Sequence, residues 1–272
     1  MKIPTPFRVP LFSVLLCLSF IPILGFQTVT AQKIKGDEQI NSKWVADSLK
    51  IDGELADWKD SLSFYNEDTR FAFSVSNNNQ TLFIAVKSQD SKNLGRIFSR
   101  GISFSFNTEG KKKAISTIVF PVIERGGQAN RPAKAPTAAQ IKDLQKKMLS
   151  DIKRFNVYGF PDVRDGAISI QNTYGISAAA TFDSQENLVI EIAVPLRLLG
   201  VTTDHQPIAC LFEINGIKAP RATYDPNRDT RNTRYGYPTR DYGYERLPRY
   251  NRINEPTGFW VKTTLAKTST IN

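Results

Sequence analysis

The stretch from Arg221 to Arg252 contains the side chains best suited to binding a ligand. It has eight Arg and six Tyr against four acidic residues, for a net charge of +4. Tyrosine rings stack on the C–H faces of sugars, and guanidinium groups pair with carboxylate or sulfate. Aliphatic side chains are almost absent, so the stretch cannot form a core of its own. The sequence predicts a long loop that binds a ligand through Tyr235, Tyr237, Arg240, Tyr242 and Tyr244.

Two other interpretations of this Tyr/Arg-rich segment (residues 221–252) stay open. The first is a structured loop without a ligand, whose rings pack over the domain while its arginines pair with nearby acids. The second is nucleic-acid binding, in which rings stack on bases and guanidinium binds phosphate. An exported protein rarely meets nucleic acid, so we predict no nucleic-acid partner and favour an acidic polysaccharide.

The residues that could support catalysis are few. The single His, His205, lies in a polar turn, and a catalytic triad needs partners that are not evident around it. Cys210 lies in an apolar run and is predicted to be a buried small hydrophobic residue. Acid pairs suited in number to glycoside hydrolysis exist, but their separation is a property of the fold. The acid pairs are Asp52 with Asp57 and Asp162 with Asp165. We predict a non-catalytic chain.

Metal sites and cofactors are also restricted by composition. Two Cys and one His cannot supply a Cys/His zinc cluster, an Fe–S cluster or a disulfide framework. Calcium stays open, because carboxylates and loop carbonyls are enough to bind it. No cofactor is predicted. The loop acids that could serve calcium are Asp52, Glu54, Asp57, Asp225 and Asp229.

The first 32 residues are typical of a secretory signal peptide. Lys2 and Arg8 precede an apolar run, and small residues before Ala31 predict cleavage after Ala31 or Gln32. An uncleaved anchor is the alternative, although Pro and Gly interrupt the run. Cleavage would leave residues 33–272 as one domain with no transmembrane span and a net charge of +8, in the periplasm or outside the cell. Such a charge attracts anionic surfaces and polymers.

Period-two alternation of apolar and polar residues dominates from Thr69 onward and predicts β-strands. Phe71 to Val75 and Leu82 to Val86 flank a polar turn and predict a hairpin. Nine or so short strands without strand–helix alternation favour two packed antiparallel sheets, an immunoglobulin- or jelly-roll-like β-sandwich. The other predicted strands lie near residues 102–106, 115–122, 168–171, 174–182, 188–194, 208–215 and 259–265.

An insertion at about residues 124–156 interrupts the strands. It begins with a Gly/Pro/Ala-rich stretch, and Thr137 and Gln140 have capping-box spacing for a helix. We expect the apolar face of this helix to close one end of the sandwich. Lysines on its other faces leave open a position on an anionic membrane. The predicted apolar face consists of Ile141, Leu144, Met148, Ile152 and Phe155.

Several short motifs resemble family 9 carbohydrate-binding modules and the related DOMON superfamily. They span about residues 49 to 266: Lys50 to Trp58 with an Ile-Asp-Gly turn, Leu82 to Asp90, Ile190 to Gly200, and Trp260 to Leu265. The resemblance implies a β-sandwich and sugar binding. It also suggests haem held by Met and His in DOMON relatives, for which only Met148 and His205 are available.

Trp58 in the first of these motifs has two interpretations. It is expected to fill a core, although an exposed sugar platform is the alternative. The sequence as a whole predicts an exported, non-catalytic module for carbohydrate or an anionic polysaccharide. The alternative is a structural or assembly protein of the bacterial cell envelope that binds a protein partner.

Overall fold

The computed structural model describes residues 31–59, 62–123, 137–216 and 255–268. Within these ranges the chain forms fourteen β-strands in two sheets, together with three α-helices. The predicted all-β sandwich is confirmed. The first described strand begins at Gln32, next to the predicted cleavage position. Residues 1–30 lie outside the described part, so the signal peptide and the boundary after residue 32 stay predictions.

Seven strands make the first sheet: β1 (Gln32–Ile34), β3 (Lys43–Trp44), β4 (Phe64–Asn66), β5 (Phe71–Asn77), β6 (Thr81–Ser88), β11 (Ser177–Phe182) and β12 (Leu188–Pro195). The strand order is β1-β4-β5-β6-β12-β11, and β3 pairs with β5. The polar turn between β5 and β6 is held by Asn78, whose Oδ1 accepts hydrogen bonds from the backbone N–H groups of Gln80 (2.9 Å) and Thr81 (2.8 Å). This hairpin was predicted from the alternation.

Seven strands also make the second sheet: β2 (Glu38–Asn41), β7 (Ile102–Asn107), β8 (Ser116–Phe120), β9 (Arg154–Tyr158), β10 (Gly166–Ser169), β13 (Ile208–Ile214) and β14 (Thr257–Thr264). The order is β10-β9-β8-β7-β13-β14-β2. The central pairings of both sheets are antiparallel, as predicted. Three edge pairings, β1 with β4, β3 with β5 and β2 with β14, are parallel. The sequence did not indicate them because β1 to β3 are too short for a clear period.

The core lies between the two sheets and is rich in phenylalanine. The ring of Phe73 from β5 lies 5.0 Å from that of Phe212 in β13, which joins the two layers. The rings of Phe212 and Phe259 stack at 5.2 Å. Because side chains alternate across a strand, the odd-numbered residues of β5 and the even-numbered residues of β6 face this core, as predicted.

Helix α1 (Ser91–Arg100) connects β6 to β7 and was not predicted. Asp90 caps its N-terminus by accepting a hydrogen bond from the N–H of Lys92, at 2.9 Å. At the other terminus Gly101 adopts a positive φ of 74°, and a Cβ there would lie 2.7 Å from the carbonyl oxygen of Pro121. The chain can therefore turn into β7 at this position only with a glycine.

Helix α2 (Ala138–Ser150) begins with the predicted capping box of Thr137 and Gln140. It ends earlier than expected, and Phe155, predicted for its apolar face, lies in β9 instead. Leu149 is buried in the core, whereas Ile141 and Leu144 are 42% and 57% exposed. The C-terminal half of α2 therefore packs on the sandwich, while the predicted apolar face is open to solvent in the N-terminal half.

The strand pairings define two opposite ends of the sandwich. At the α1 end, β6 and β13 finish while β12, β14 and β7 begin. At the turn end, β6 and β13 begin, β12 finishes at Pro195, and helix α3 (Leu196–Leu199) follows. Residues 216 and 255, which flank the undescribed stretch containing the Tyr/Arg-rich segment, belong to the α1 end.

Candidate functional site

The buried carboxylate of Glu191 joins two of the motifs that the sequence analysis singled out. Its Oε2 accepts hydrogen bonds from the backbone N–H groups of Asp52 (3.0 Å) and Gly53 (2.6 Å). Its Oε1 accepts a hydrogen bond from the indole Nε1–H of Trp58, at 2.6 Å. The apolar neighbours of Glu191 in β12 face the core, so its own side chain points to the outer face of the first sheet. The Ile-Asp-Gly turn is thus held to that face by one side chain.

Gly53 allows the turn to approach the sheet. Its φ is +86°, and a Cβ at this position would lie 3.0 Å from both Cγ2 and N of Thr181. Asp52 stabilises the turn by accepting a hydrogen bond from the N–H of Glu54 at 2.9 Å. Both features, the positive φ and the carboxylate bonded to its own turn, are typical of an Asp-Gly pair in a tight turn.

Trp58 fills a small second core outside the first sheet and is only 7% exposed. It packs there with Leu62, Phe83, Ala85 and Ala193. This burial confirms the expectation that Trp58 is a core residue. A buried ring is not available as a sugar platform. The first motif therefore has a structural role in this chain.

Burial raises the pKa of Glu191, and its three hydrogen bonds act in the opposite direction without outweighing it. The carboxylate is fully buried and has no cation beside it in the described structure. Desolvation disfavours its charged form, whereas each N–H donor favours it. One local feature of the sequence hints at this arrangement, since Glu191 is a single acid inside an otherwise apolar strand.

Asp52 and Asp57, one of the acid pairs considered for hydrolysis, are both bonded to Lys50. Asp57 accepts a hydrogen bond from the N–H of Lys50 at 2.8 Å, and the ammonium of Lys50 lies 2.8 Å from Asp52. The hydrogen bond from Lys50 lowers the pKa of Asp52. A glycosidase needs one carboxyl group that stays protonated, so this shift has the wrong sign for a general acid. In the other pair, Asp165 accepts a hydrogen bond from the N–H of Gly159 at 2.7 Å.

A cleft of about 450 Å³ adjoins the Ile-Asp-Gly turn. Its charged groups are largely engaged with one another or with backbone. Lys87 lies 3.8 Å from Asp183, and Asp183 also accepts hydrogen bonds from the N–H groups of Gln185 (2.9 Å) and Asn187 (2.8 Å). Lys87 and Asp183, two of the charged residues that line the cleft, therefore already have partners.

The five residues predicted to contact a ligand, Tyr235, Tyr237, Arg240, Tyr242 and Tyr244, lie outside the described residues. The strands on either side of the undescribed stretch are described. β13 ends at Ile214, β14 begins at Thr257, and these two residues pair in the antiparallel ladder. The residues that flank the stretch are therefore neighbours at the α1 end.

Arg96 of α1 binds both of these strands. Its guanidinium donates hydrogen bonds to the carbonyl oxygen of Ile214 (3.2 Å), the hydroxyl of Thr257 (3.2 Å) and the carbonyl oxygen of Glu255. Burial lowers the pKa of Arg96, which stays charged at neutral pH. The sequence analysis missed this residue because α1 was not predicted and nothing local distinguishes Arg96 from other arginines.

Asn215 fixes the chain just beyond β13. Its Nδ2 donates to the carbonyl oxygen of Arg100 (3.0 Å), its Oδ1 accepts from the hydroxyl of Ser103 (2.7 Å), and its backbone N–H donates to Gly101 (3.1 Å). The exit from β13 and the entry into β14 are thus both tied to α1 or to the start of β7. We call Arg96 and Asn215 the anchor of the Tyr/Arg-rich segment.

The remaining predicted candidates have ordinary surroundings. His205 lies in a turn, with its Nδ1 at 2.8 Å from the carbonyl oxygen of Gln206. Cys210 is buried, as predicted, and burial raises the pKa of its thiol to about 12. Met148 packs against the core.

Among the described residues no group of three or more His, Cys, Asp or Glu could hold a metal ion. Asp225 and Asp229, two of the acids considered for calcium, lie outside them.

The sequence matches no family model and no curated protein. The fold is similar to two solved structures of a family 9 carbohydrate-binding module from Caldicellulosiruptor kristjanssonii. The complex with glucose has 7% sequence identity and a TM-score of 0.36, covering 86% of this chain and 100% of the module. The complex with cellotriose has 8% identity and the same TM-score, covering 86% and 98%. Neither is a DOMON domain, and a likeness this low assigns no ligand to the present chain.

No helix in the described ranges is long and apolar enough to span a membrane.

Proposed function

We propose that the chain is an exported, non-catalytic β-sandwich module that binds carbohydrate or an anionic polysaccharide through its Tyr/Arg-rich segment. The contacts would come from Tyr235, Tyr237, Arg240, Tyr242 and Tyr244. The observation that carries the proposal is the anchor formed by Arg96 and Asn215. It holds both flanks of the undescribed stretch at one end of the sandwich, and the segment contains eight Arg and six Tyr.

The chemistry of the segment suits a polymer with apolar sugar faces and anionic groups. Rings supply stacking surface at a small cost in side-chain entropy, and guanidinium groups bind carboxylate or sulfate through paired hydrogen bonds. A net charge of +8 for residues 33–272 would also attract a polyanion over a distance of about 10 Å at moderate salt. The same charge would favour encounter with an anionic cell envelope.

A glycan array read at two salt concentrations tests the proposal. Contacts made by stacking should survive added salt, whereas purely ionic contacts should weaken. Replacing both Tyr235 and Tyr237 by Ala should reduce binding about 10-fold or more, with little loss of stability. The matched control is Tyr158→Ala, which removes an exposed ring from β9 and should leave binding unchanged. Unfolding of the double variant would show that these rings belong to a core.

Export is part of the same proposal and has its own test. Sequencing the N-terminus of the protein recovered from its native cells should give Gln32 or Lys33 as the first residue. An N-terminus at Met1 in a membrane fraction would instead show that the apolar run is retained as an anchor. Cleavage before Lys33 would also shorten β1 by one residue, so cleavage before Gln32 preserves the strand.

The exposed side chains of Ile141 and Leu144 favour a second candidate, an envelope assembly protein with a protein partner. Exposed apolar side chains that lie together often mark interaction surfaces. A pull-down of the tagged protein from its native envelope tests this. A partner captured by the unmodified chain and lost with Ile141→Ser and Leu144→Ser would support the assembly role.

A further inference from the structure

A cleft of about 760 Å³ opens at the turn end of the sandwich, opposite the anchor of the Tyr/Arg-rich segment. It lies between the β5–β6 turn, the approach to β11, and α3 with the residues after it. The lining residues named here all belong to the described ranges. Its polar and aromatic lining includes Asn79, Gln80, Thr81, Tyr174, Arg197 and Thr202.

The floor of the cleft is fixed by backbone contacts. β12 ends at Pro195, and the N–H of Leu196 donates to the carbonyl oxygen of Gln80 at 2.7 Å, which ties α3 to the β5–β6 turn. Gly175 has a φ of +84°, and a Cβ there would lie 3.2 Å from Cγ of Pro195. The walls are therefore held close together by the fold before any ligand arrives.

Among the described residues that line this cleft, Arg197 is the one with a charged side chain. Its Nη2 donates a hydrogen bond to the backbone carbonyl oxygen of Tyr174 at 2.6 Å, which holds the guanidinium against the wall. The structure shows no carboxylate of the described chain paired with it. A guanidinium has five N–H donors, so several stay available to an incoming anion.

The other lining groups suit a hydroxylated ligand. Gln80 and Asn79 carry amides, and Thr81 and Thr202 carry hydroxyls, all of which can donate to and accept from sugar hydroxyl groups. Half-buried Tyr174 supplies aromatic surface, and the described part of the chain places no acidic residue in the lining to repel an anion. Binding pockets typically combine such surface with a few polar groups, and this volume is within their usual range.

We infer that the turn-end cleft is a second binding site, which takes a saccharide bearing a carboxylate, with Arg197 pairing with the carboxylate. Planar guanidinium groups bind carboxylates through two parallel hydrogen bonds, which a lysine cannot reproduce. The inference goes beyond the proposed function because the site is separate from the Tyr/Arg-rich segment and stands if that segment binds nothing.

Two oligosaccharides that differ only at C6 test this site. Trigalacturonate carries carboxylates where galactotriose carries hydroxymethyl groups, and calorimetric titration measures both on the full chain. We expect trigalacturonate to bind at least 10-fold more tightly than galactotriose. Arg197→Gln should weaken trigalacturonate binding about 10- to 100-fold, the loss typical of a hydrogen bond to a charged group, without changing galactotriose binding. Arg197→Lys should give an intermediate loss.

The controls separate this site from the other proposal. Arg164→Gln removes an exposed arginine elsewhere on the sandwich and should leave trigalacturonate binding unchanged. The double Tyr235/Tyr237 variant should also leave binding at the cleft unchanged, even if it abolishes glycan binding at the other end. Equal affinity for the two trisaccharides, no binding of trigalacturonate, or unchanged affinity in Arg197→Gln would each overturn the inference.

Discussion

Glu191 and Arg96 perform comparable tasks in two regions of the molecule, since each holds irregular chain against the sandwich through hydrogen bonds. Glu191 accepts three N–H donors from residues 52–58, and the segment it holds covers a small apolar core around Trp58. Arg96 donates to the flanks of a stretch that is rich in Tyr and Arg and almost free of aliphatic residues. The first segment buries apolar surface against the sheet, whereas Arg96 contacts only the described flanks of the second, Ile214, Glu255 and Thr257.

This difference distinguishes the Ile-Asp-Gly motif, which has a structural role, from the Tyr/Arg-rich segment, which is a candidate binding site. A charged group that holds an apolar cover contributes to global stability, because its loss exposes the core and leaves buried donors unpaired. A charged group that anchors a polar segment affects mainly the position of that segment. Substitutions at Glu191 should therefore change mainly the free energy of unfolding, whereas substitutions at Arg96 should change mainly the accessibility of the Tyr/Arg-rich segment.

The largest effect is expected from Glu191→Ala. The substitution leaves the indole N–H of Trp58 and two backbone N–H groups without acceptors in a buried site. We expect a loss of about 3 to 5 kcal/mol in the free energy of unfolding, measured with urea. Trp58→Phe removes one donor but keeps the carboxylate bonded to Asp52 and Gly53, so it should cost less. An Ala variant as stable as the parent would contradict the structural role of Glu191.

Gly53→Ala should have the next largest effect. Its φ of +86° is unfavourable for alanine, and the added Cβ would lie 3.0 Å from Thr181. We expect a loss of about 1 to 3 kcal/mol in the same urea experiment. Gly95→Ala is the matched control. Gly95 lies inside α1 with nothing within 4 Å of its added Cβ, so alanine there should raise stability by up to about 1 kcal/mol.

Arg96→Ala should change global stability less, by about 1 kcal/mol, because Glu255 is exposed and Thr257 is half-buried, so water can replace the guanidinium at these two acceptors. The main effect should be on the anchored segment. We expect chymotrypsin to cleave after the segment's tyrosines several-fold faster in Arg96→Ala than in the parent chain. Arg100→Ala, which removes an exposed side chain from the same helix, should not change the cleavage rate. Equal rates in all three proteins would show that Arg96 does not restrain the segment.

The sequence predicted the parts of the fold that repeat a short period. The β5–β6 hairpin follows from alternation, and the start of α2 follows from the Thr137/Gln140 capping box. Helix α1 was missed although Asp90 is a suitable N-cap and Leu94, Ile97 and Phe98 have helical i, i+3, i+4 spacing, because three apolar residues among ten make only a short stripe. Strands β1 to β3 were missed because each has four residues or fewer.

The candidate sites were harder to predict, because they depend on residues that are distant in sequence. Arg96 meets Thr257 across 161 positions, and Glu191 meets Trp58 across 133. The turn-end cleft likewise combines residues 79–81, 174–175 and 195–202. No local sequence pattern indicates contacts between residues that are so far apart in the chain. Composition identified the Tyr/Arg-rich segment, but only the strand pairing indicated that its flanks lie at one end of the sandwich.

The smallest effect concerns pH and tests the electrostatic side of the comparison. Burial raises the pKa of Glu191 above its ordinary value of 4.5, so the folded state holds this proton more tightly than the unfolded state does. The resulting stabilisation is fully present below about pH 4.5 and is lost as the pH rises through the folded pKa. We therefore expect the stability of the parent chain relative to Glu191→Gln to fall with rising pH, by at most about 1.4 kcal/mol per pH unit.

Urea unfolding of the parent, Glu191→Gln and Arg96→Ala at several pH values above 4.5 measures this slope. Arg96 stays charged throughout this range, so the difference between the parent and Arg96→Ala should not vary with pH. A relative stability of the parent over Glu191→Gln that rises with pH would mean that the three N–H donors outweigh desolvation. Glu191 would then be held as a stabilised carboxylate, and the two charged groups would act by the same physical principle despite their different burial.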